Sequence, residues 1–128
     1  MELEELTRGL QHVGLPTKDM EQTLDFYHRL GFEDALIRDN DGAKVVFLKL
    51  KNLVIEAYES AEATGVPGAI DHIAIDVSDI EAVFSHISSG GFSLLDQQVR
   101  YLPFWDNGVR FFTILGPNGE KIEFSQIL

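Results

Sequence analysis

The chain contains the same pattern twice, and this internal repeat constrains its fold more than any other feature. Each copy ends with a glutamate in a short apolar segment, Glu56 in the first copy and Glu123 in the second. The residues that recur at a constant interval of 60 positions, with no gap, are His12 and His72, Asp19 and Asp79, Glu21 and Glu81, Gly31 and Gly91, and Phe32 and Phe92. A repeated unit that cannot bury its apolar face alone packs against its neighbour. The repeat therefore predicts two similar modules.

Each copy has the pattern of a strand, a helix and three further strands. Apolar residues alternate with small or polar ones at the start of both copies, as in a strand with one buried face. Apolar residues at helical spacing then follow the candidate N-caps, which are Asp19 in the first copy and Ser78 or Asp79 in the second. Ser78, with Glu81 three residues later, predicts a capping box at the start of the second helix.

Turn-forming residues separate the remaining strands. Residues 39–42 and 116–119 are rich in Gly, Asn, Asp and Pro, which favour tight reversals of the chain. A linker of small residues at 59–69 joins the two copies. We therefore predict a single domain of the α+β class, made of two tandem βαβββ modules at residues 10–58 and 70–125.

Strand alternation places His12 and His72 on the face of their strands that lies opposite the apolar side chains. Their neighbours on that face are Gly14 and Ala74. Because these small residues leave space beside the imidazoles, the pattern is typical of a pocket rather than of a packed core.

Two histidines and two glutamates at matched positions predict one shared metal site, formed by His12, Glu56, His72 and Glu123. The chain has no cysteine, so nitrogen and oxygen ligands must hold the ion. This set suits a divalent metal such as Zn, Ni, Co, Mn or Fe, with positions left for water or substrate. A histidine or glutamate in a strand is more often an ordinary surface or core residue, but recurrence in both copies favours the ligand role.

Composition excludes several classes of function. The 128 residues suffice for one hydrophobic core, and no apolar run approaches the roughly 20 residues of a membrane-spanning helix. The net charge of -11 repels nucleic acid and anionic membranes. The chain also lacks the basic start of a secretory signal. We therefore expect a cytoplasmic protein that acts on a small molecule, with no nucleic-acid or membrane partner.

The two histidine-containing strands, the stretch at residues 19–32 and the ending at residues 116–124 resemble the vicinal-oxygen-chelate superfamily. This group contains glyoxalase I, the bleomycin-resistance proteins and the extradiol dioxygenases. The resemblance implies paired modules that form a cupped, partly open β-barrel around a metal, with the helices on the outside. It also implies a homodimer, because such metal sites often lie at a dimer interface.

Within this superfamily, the ligand order His12, Glu56, His72 and Glu123 resembles that of glyoxalase I. The resemblance implies a lactoylglutathione-lyase-like lyase or isomerase, in which the metal polarises a carbonyl group and Glu56 or Glu123 moves a proton between adjacent carbons. Bacterial glyoxalase I carries an arginine on the first strand that binds glutathione. This chain has Pro16 there, which argues against glutathione as the substrate.

Two alternative functions are open at this point. A bleomycin-resistance type of protein would sequester a ligand without metal or catalysis, although such proteins characteristically lack the ligand set. An Fe(II) extradiol-type dioxygenase would need two histidines and one carboxylate, so that Glu56 would be one ligand more than required.

The second copy is longer than the first around residues 100–108, and this insertion contains the only Trp of the chain. Tyr101, Phe104 and Trp105 are candidates for an apolar wall or lid over the pocket, and Arg100 is a candidate for binding an anionic group. The alternative is a hairpin whose aromatic residues complete a core or a dimer contact.

Overall fold

The computed structural model describes residues 2–128, and the chain divides into two compact units with the boundary between Thr64 and Gly65. This boundary lies in the linker expected at 59–69. The first unit contains, in chain order, α1 (Leu3–Leu6), β1 (Val13–Thr17), α2 (Met20–Arg29), β2 (Glu33–Asn40), β3 (Ala43–Leu50) and β4 (Leu53–Glu59).

The strands of the first unit form one sheet in the order β1-β4-β3-β2. β1 runs parallel to β4, while β2, β3 and β4 pair antiparallel through short turns. Because a parallel pair needs a long crossover, α2 and the β2–β3 hairpin separate the first strand from the last. α2 packs on this sheet, and the buried side chains of β3 and β4 include Val46, Leu48, Ile55 and Ala57.

The predicted helix ends of this unit are confirmed. The side chain of Asp19 accepts a hydrogen bond from the backbone N–H of Gln22, which caps α2. Gly31 then has a φ of 102°, the left-handed conformation expected where a helix stops.

The second unit repeats the arrangement with one more strand. It contains β5 (His72–Asp76), α3 (Ile80–Ser88), β6 (Ser93–Leu94), β7 (Arg100–Leu102), β8 (Val109–Leu115) and β9 (Lys121–Ile127). Its sheet has the order β5-β9-β8-β6, and β7 also pairs with β8. The first and last strands, β5 and β9, are again parallel. The α+β class predicted from the sequence is thus confirmed.

Two details differ from the sequence-based expectation. The predicted capping box of Ser78 and Glu81 is wrong: the side chain of Asp79 accepts from the N–H of Ala82 and caps α3, and Glu81 pairs with Arg110 instead. The segment at 100–108 is not only an insertion, since it begins with a strand, β7. Among residues 2–128, no helix has the length and apolar character needed to cross a membrane.

Candidate functional site

The first unit brings His12 and Glu56 together. His12 lies directly before β1, and Gly14 of β1 is in register with Glu56 of the parallel strand β4. Since residues two apart in a strand share a face, His12 and Glu56 lie on the same side of the sheet. The imidazole Nε2 of His12 lies 3.3 Å from Oε1 of Glu56.

Two further contacts orient the ring of His12. Its Nδ1 lies 2.9 Å from Oε1 of Gln11. The ring also meets Phe47, the register partner of Glu56 on β3, edge to face with 5.7 Å between ring centroids. The amide oxygen of Gln11 can accept an Nδ1–H, which leaves Nε2 as the ring nitrogen on the side of the carboxylate.

The second unit repeats this pair with His72 and Glu123. His72 begins β5, and Ala74 is in register with Glu123 of β9. Nε2 of His72 lies 3.6 Å from Oε1 of Glu123. Both side chains are partly accessible, with 45% of His72 and 20% of Glu123 exposed. A ligand in solution can therefore reach the pair.

A carboxylate takes the place of the amide in this second pair. Nδ1 of His72 lies 3.0 Å from Oδ2 of Asp71, and Lys121 donates to the other oxygen of Asp71 at 2.9 Å. The hydrogen bond from Lys121, followed by that from His72, lowers the pKa of Asp71. Asp71 thus stays ionised and accepts the Nδ1–H of His72.

The geometry of each pair fits a divalent metal. Two ligand atoms that bind one ion at about 2.1 Å lie roughly 3.0–3.4 Å apart at octahedral or tetrahedral angles. The separations of 3.3 and 3.6 Å between the histidine nitrogen and the glutamate oxygen are close to that value. Within residues 2–128, the structure forms no group of three or more His, Asp or Glu side chains that could hold an ion. It thus brings the four candidate ligands together as two pairs.

The residues beside the pairs are small and accessible. Gly14 and Ala74 are both exposed and stand in register with Glu56 and Glu123. Neither has a side chain that would cover the neighbouring carboxylate. The ring of Tyr58 bounds the space beside Gly14, at 3.7 Å from the position that a Cβ would take there.

The candidate substrate-binding residues divide between the two faces of the second sheet. Arg100 of β7 is in register with Phe111, and its guanidinium carbon lies 5.7 Å from the centre of that ring. Tyr101 is in register with Arg110, which pairs with Glu81 of α3 on the helix side of the sheet. Arg100 and Tyr101 therefore face in opposite directions.

Phe104 and Trp105 lie in the loop between β7 and β8. Phe104 is 55% and Trp105 71% exposed. Trp105 has a φ of 64°, which is unusual for a residue other than glycine. These two side chains are available to a ligand or a partner rather than buried in the second unit.

Gln11 and Asp71 belong to the site although the sequence analysis did not single them out. Each immediately precedes its histidine, so the pair recurs at the same interval of 60 residues as the histidines. Both side chains carry an oxygen that accepts a hydrogen bond. An acceptor next to a repeated histidine was therefore the signal that could have identified them.

Comparison with known proteins identifies a matching family model and a similar curated protein. A family model described as Glyoxalase/Bleomycin resistance protein/Dioxygenase superfamily matches residues 9–124. The uncharacterized protein YwbC of Bacillus subtilis (strain 168) is 27% identical over 130 residues, which cover 94% of this chain and 99% of the relative.

Solved structures with the same fold include two bacterial proteins. A glyoxalase family protein from Enterococcus faecalis has a TM-score of 0.79 at 22% identity, covering 94% of this chain and 98% of its own. The fosfomycin resistance protein FosX from Listeria monocytogenes, crystallised with Mn(II) and sulfate, has a TM-score of 0.74 at 16% identity, covering 95% of this chain and 94% of its own.

Proposed function

The chain belongs to the Glyoxalase/Bleomycin resistance protein/Dioxygenase superfamily, and we propose on this basis that it is a metal-dependent lyase or isomerase acting on a small molecule. The observation that carries the proposal is the pair of a histidine nitrogen and a glutamate oxygen in each unit. Each pair offers one nitrogen and one oxygen at the spacing of ligands to a common ion.

We propose that His12, Glu56, His72 and Glu123 hold one divalent ion of the series Zn, Ni, Co, Mn or Fe. When bound, such an ion polarises a carbonyl oxygen of the substrate and makes the neighbouring C–H more acidic. FosX of the same fold was crystallised with Mn(II), which supports a divalent ion as the cofactor.

The protein's own residues supply positioning and proton transfer. Gln11 and Asp71 fix the two imidazoles through their Nδ1 atoms, so that both Nε2 atoms are available as ligands. Glu56 and Glu123 act as acid and base: a carboxylate oxygen takes a proton from one substrate carbon, and the resulting carboxylic acid returns it to the adjacent carbon. The small residues Gly14 and Ala74 let the substrate approach those oxygens.

Metal analysis after reconstitution tests this function. The unaltered protein should bind about one ion per chain, and either Glu56→Gln or Glu123→Gln should weaken binding strongly. Glu62→Gln is the control, because Glu62 is exposed and outside both pairs. If the reconstituted protein retains only a trace of any divalent ion, or if the Glu56→Gln, Glu123→Gln double variant binds as much as the control, the metal site is refuted.

Solvent deuterium incorporation tests the chemistry separately. Metal-loaded protein should transfer deuterium from D2O to the carbon next to the carbonyl of α-oxoaldehyde thiol adducts, and it should do so with thiols other than glutathione. Metal binding without exchange or turnover across such a panel would instead support the ligand-sequestering alternative.

Superfamily members bind small molecules and commonly form dimers. We propose that this chain is a homodimer with a small-molecule substrate. Light scattering during size-exclusion chromatography should then give twice the 14.3 kDa mass of the chain, and the mass of a single chain would contradict the dimer.

A further inference from the structure

One arginine occupies the same place in each of the two sheets. In the first unit Arg38 of β2 is in register with Val45, two residues before Phe47, which is the partner of Glu56. Arg38 therefore lies on the face of its sheet that carries His12 and Glu56.

The second unit shows the same relationship on different residues. Arg100 of β7 is in register with Phe111, two residues before Thr113, which is the partner of Glu123. The constant interval of 60 residues does not relate Arg38 to Arg100, because the second copy has extra residues before and after β7. The strand register nevertheless places Arg100 on the face that carries His72 and Glu123, as Arg38 is placed in the first unit.

Two contacts orient the guanidinium of Arg100. Its Nη1 donates to Oδ1 of Asp96 at 3.3 Å, and the side chain of Asp96 is only 15% exposed. The other oxygen of Asp96 accepts from the backbone N–H of Thr113 at 3.0 Å, which ties the carboxylate to β8. The ring of Phe111 lies beneath the guanidinium at 5.7 Å. An arginine that is already oriented loses little entropy when it binds a ligand.

The guanidinium also remains accessible. The Arg100 side chain is 58% exposed, so N–H donors that Asp96 does not use face solvent. A guanidinium binds carboxylate and phosphate-like oxygens through paired hydrogen bonds. Since a chain with a net charge of -11 repels anions in general, an oriented arginine on the site face gives an anionic group one favourable place to bind.

We propose that Arg100 binds an anionic group of the substrate, a carboxylate or a phosphate-like group, on the His72–Glu123 face. This deepens the proposed function and takes its metal site as given. β7 and β9 lie on either side of β8 and are roughly 10 Å apart. The substrate is therefore a small carbonyl compound whose anionic group lies several bonds from the reacting carbons. Arg38 is the corresponding residue of the first unit.

A first experiment needs no metal. The side-chain Nε–Hε NMR signal of Arg100 is followed in chelator-treated protein while inorganic phosphate or acetate is added at constant ionic strength. A saturable shift of this signal is expected, and the stronger of the two anions identifies whether a tetrahedral or planar group is preferred. Arg110, which pairs with Glu81 on the other face, should not respond. An Arg100 signal that shifts no more than that of Arg110 with either anion refutes the proposal.

A second experiment uses metal-loaded protein and a pair of hydroxamates, one ending in a methyl group and one in a carboxylate, over a series of chain lengths. The carboxylate should improve affinity about tenfold at the best length. Arg100→Gln should abolish this preference and Arg100→Lys should restore part of it, whereas Arg110→Gln should retain it. A preference that survives in Arg100→Gln overturns the assignment. If neither hydroxamate binds, the metal site fails, and the phosphate and acetate titration still decides the role of Arg100.

Discussion

The imidazole Nδ1 of His72 lies 3.0 Å from a carboxylate oxygen of Asp71, the residue directly before it in the chain. His12 has the same relationship with the amide oxygen of Gln11, at 2.9 Å. Each histidine is thus oriented by its own sequence neighbour, and the acceptor is neutral in the first unit and anionic in the second. Because an anionic acceptor makes an imidazole a stronger donor to a metal, we expect His72 to bind the proposed ion more strongly than His12.

Loss of these acceptors should weaken metal binding while the fold is retained. We expect Asp71→Ala to reduce affinity for the divalent ion by about 10- to 100-fold, and Gln11→Ala to reduce it less. Competition against a chromophoric chelator measures both. Asp25→Ala removes the same charge from an exposed position of α2 and serves as the control. Equal affinities for Asp71→Ala and Asp25→Ala would show that the hydrogen bond to His72 does not orient a ligand.

The pairing of Asp71 with Lys121 should be visible in an acid titration. In the folded protein the pKa of Asp71 is lowered, chiefly by the hydrogen bond from Lys121. The contact therefore favours the folded state above the ordinary aspartate pKa of about 3.9, and this contribution is lost as the pH falls through the lower folded-state value. In Lys121→Met the carboxyl 13C NMR midpoint of Asp71 should move up toward the ordinary range. An unchanged midpoint would refute Lys121 as the main cause.

A buried pair of hydroxyl groups holds the start of the first module. Thr17 and Thr23 are both fully buried, and their Oγ1 atoms lie 2.9 Å apart. Thr17 also accepts from the backbone N–H of Asp19 at 3.0 Å. The corresponding positions of the second copy are Val77 and Val83, so the same geometry accepts an apolar pair.

The loss of stability on removing one hydroxyl should therefore exceed half of the loss on removing both. Thr17→Val should reduce the free energy of unfolding by about 1–2 kcal/mol, because it removes a partner from a buried hydroxyl. The Thr17→Val, Thr23→Val double variant should lose less than the sum of the two single variants. Urea denaturation of all four proteins gives the coupling energy, and strictly additive losses would contradict this interpretation.

Gly108 should be intolerant of a side chain for two separate reasons. Its φ is 94°, and an added Cβ would collide with the Tyr101 ring. Gly42 has a similar φ of 92° but open space around the position of a Cβ, so Gly42→Ala measures the backbone strain alone, about 1 kcal/mol. Gly108→Ala should destabilise the protein clearly more in urea denaturation.

The Tyr101→Ala, Gly108→Ala double variant separates the two causes. Removal of the ring should recover the part of the loss that exceeds the Gly42→Ala value. If Gly108→Ala costs no more than Gly42→Ala, close packing of Tyr101 on this glycine does not contribute to stability.

Local signals in the sequence predicted most of the fold. Asp19 caps α2 and Gly31 ends it, because a carboxylate acceptor and a residue free to take a positive φ each act within a few residues. The wrong capping box has a non-local cause. Glu81 pairs with Arg110 of β8, a residue from the far end of the module, so local spacing could not reveal the competition.

The candidate site was predictable because each copy carries a histidine at its start and a glutamate in its last apolar segment. His12 with Glu56, and His72 with Glu123, meet because the first and last strands of a module pair in parallel. β7 was missed because three residues are too few for a pattern, and their extended form depends on pairing with β8. The equivalent positions of Arg38 and Arg100 likewise depend on how the strands pair, which the local sequence does not show.

The parallel pairing of β1 with β4 has a consequence for how an ion would exchange. β1 is an edge strand of its sheet, as β5 is of the other, so each histidine lies in or next to a strand that is paired on one side only. Edge strands open locally more easily than central ones. Fraying of β1 would carry His12 away from Glu56 while β4 stays paired with β3. If the pairs hold an ion as proposed, fraying of the histidine strand is the motion that would let the ion enter and leave, because the glutamate strand stays paired.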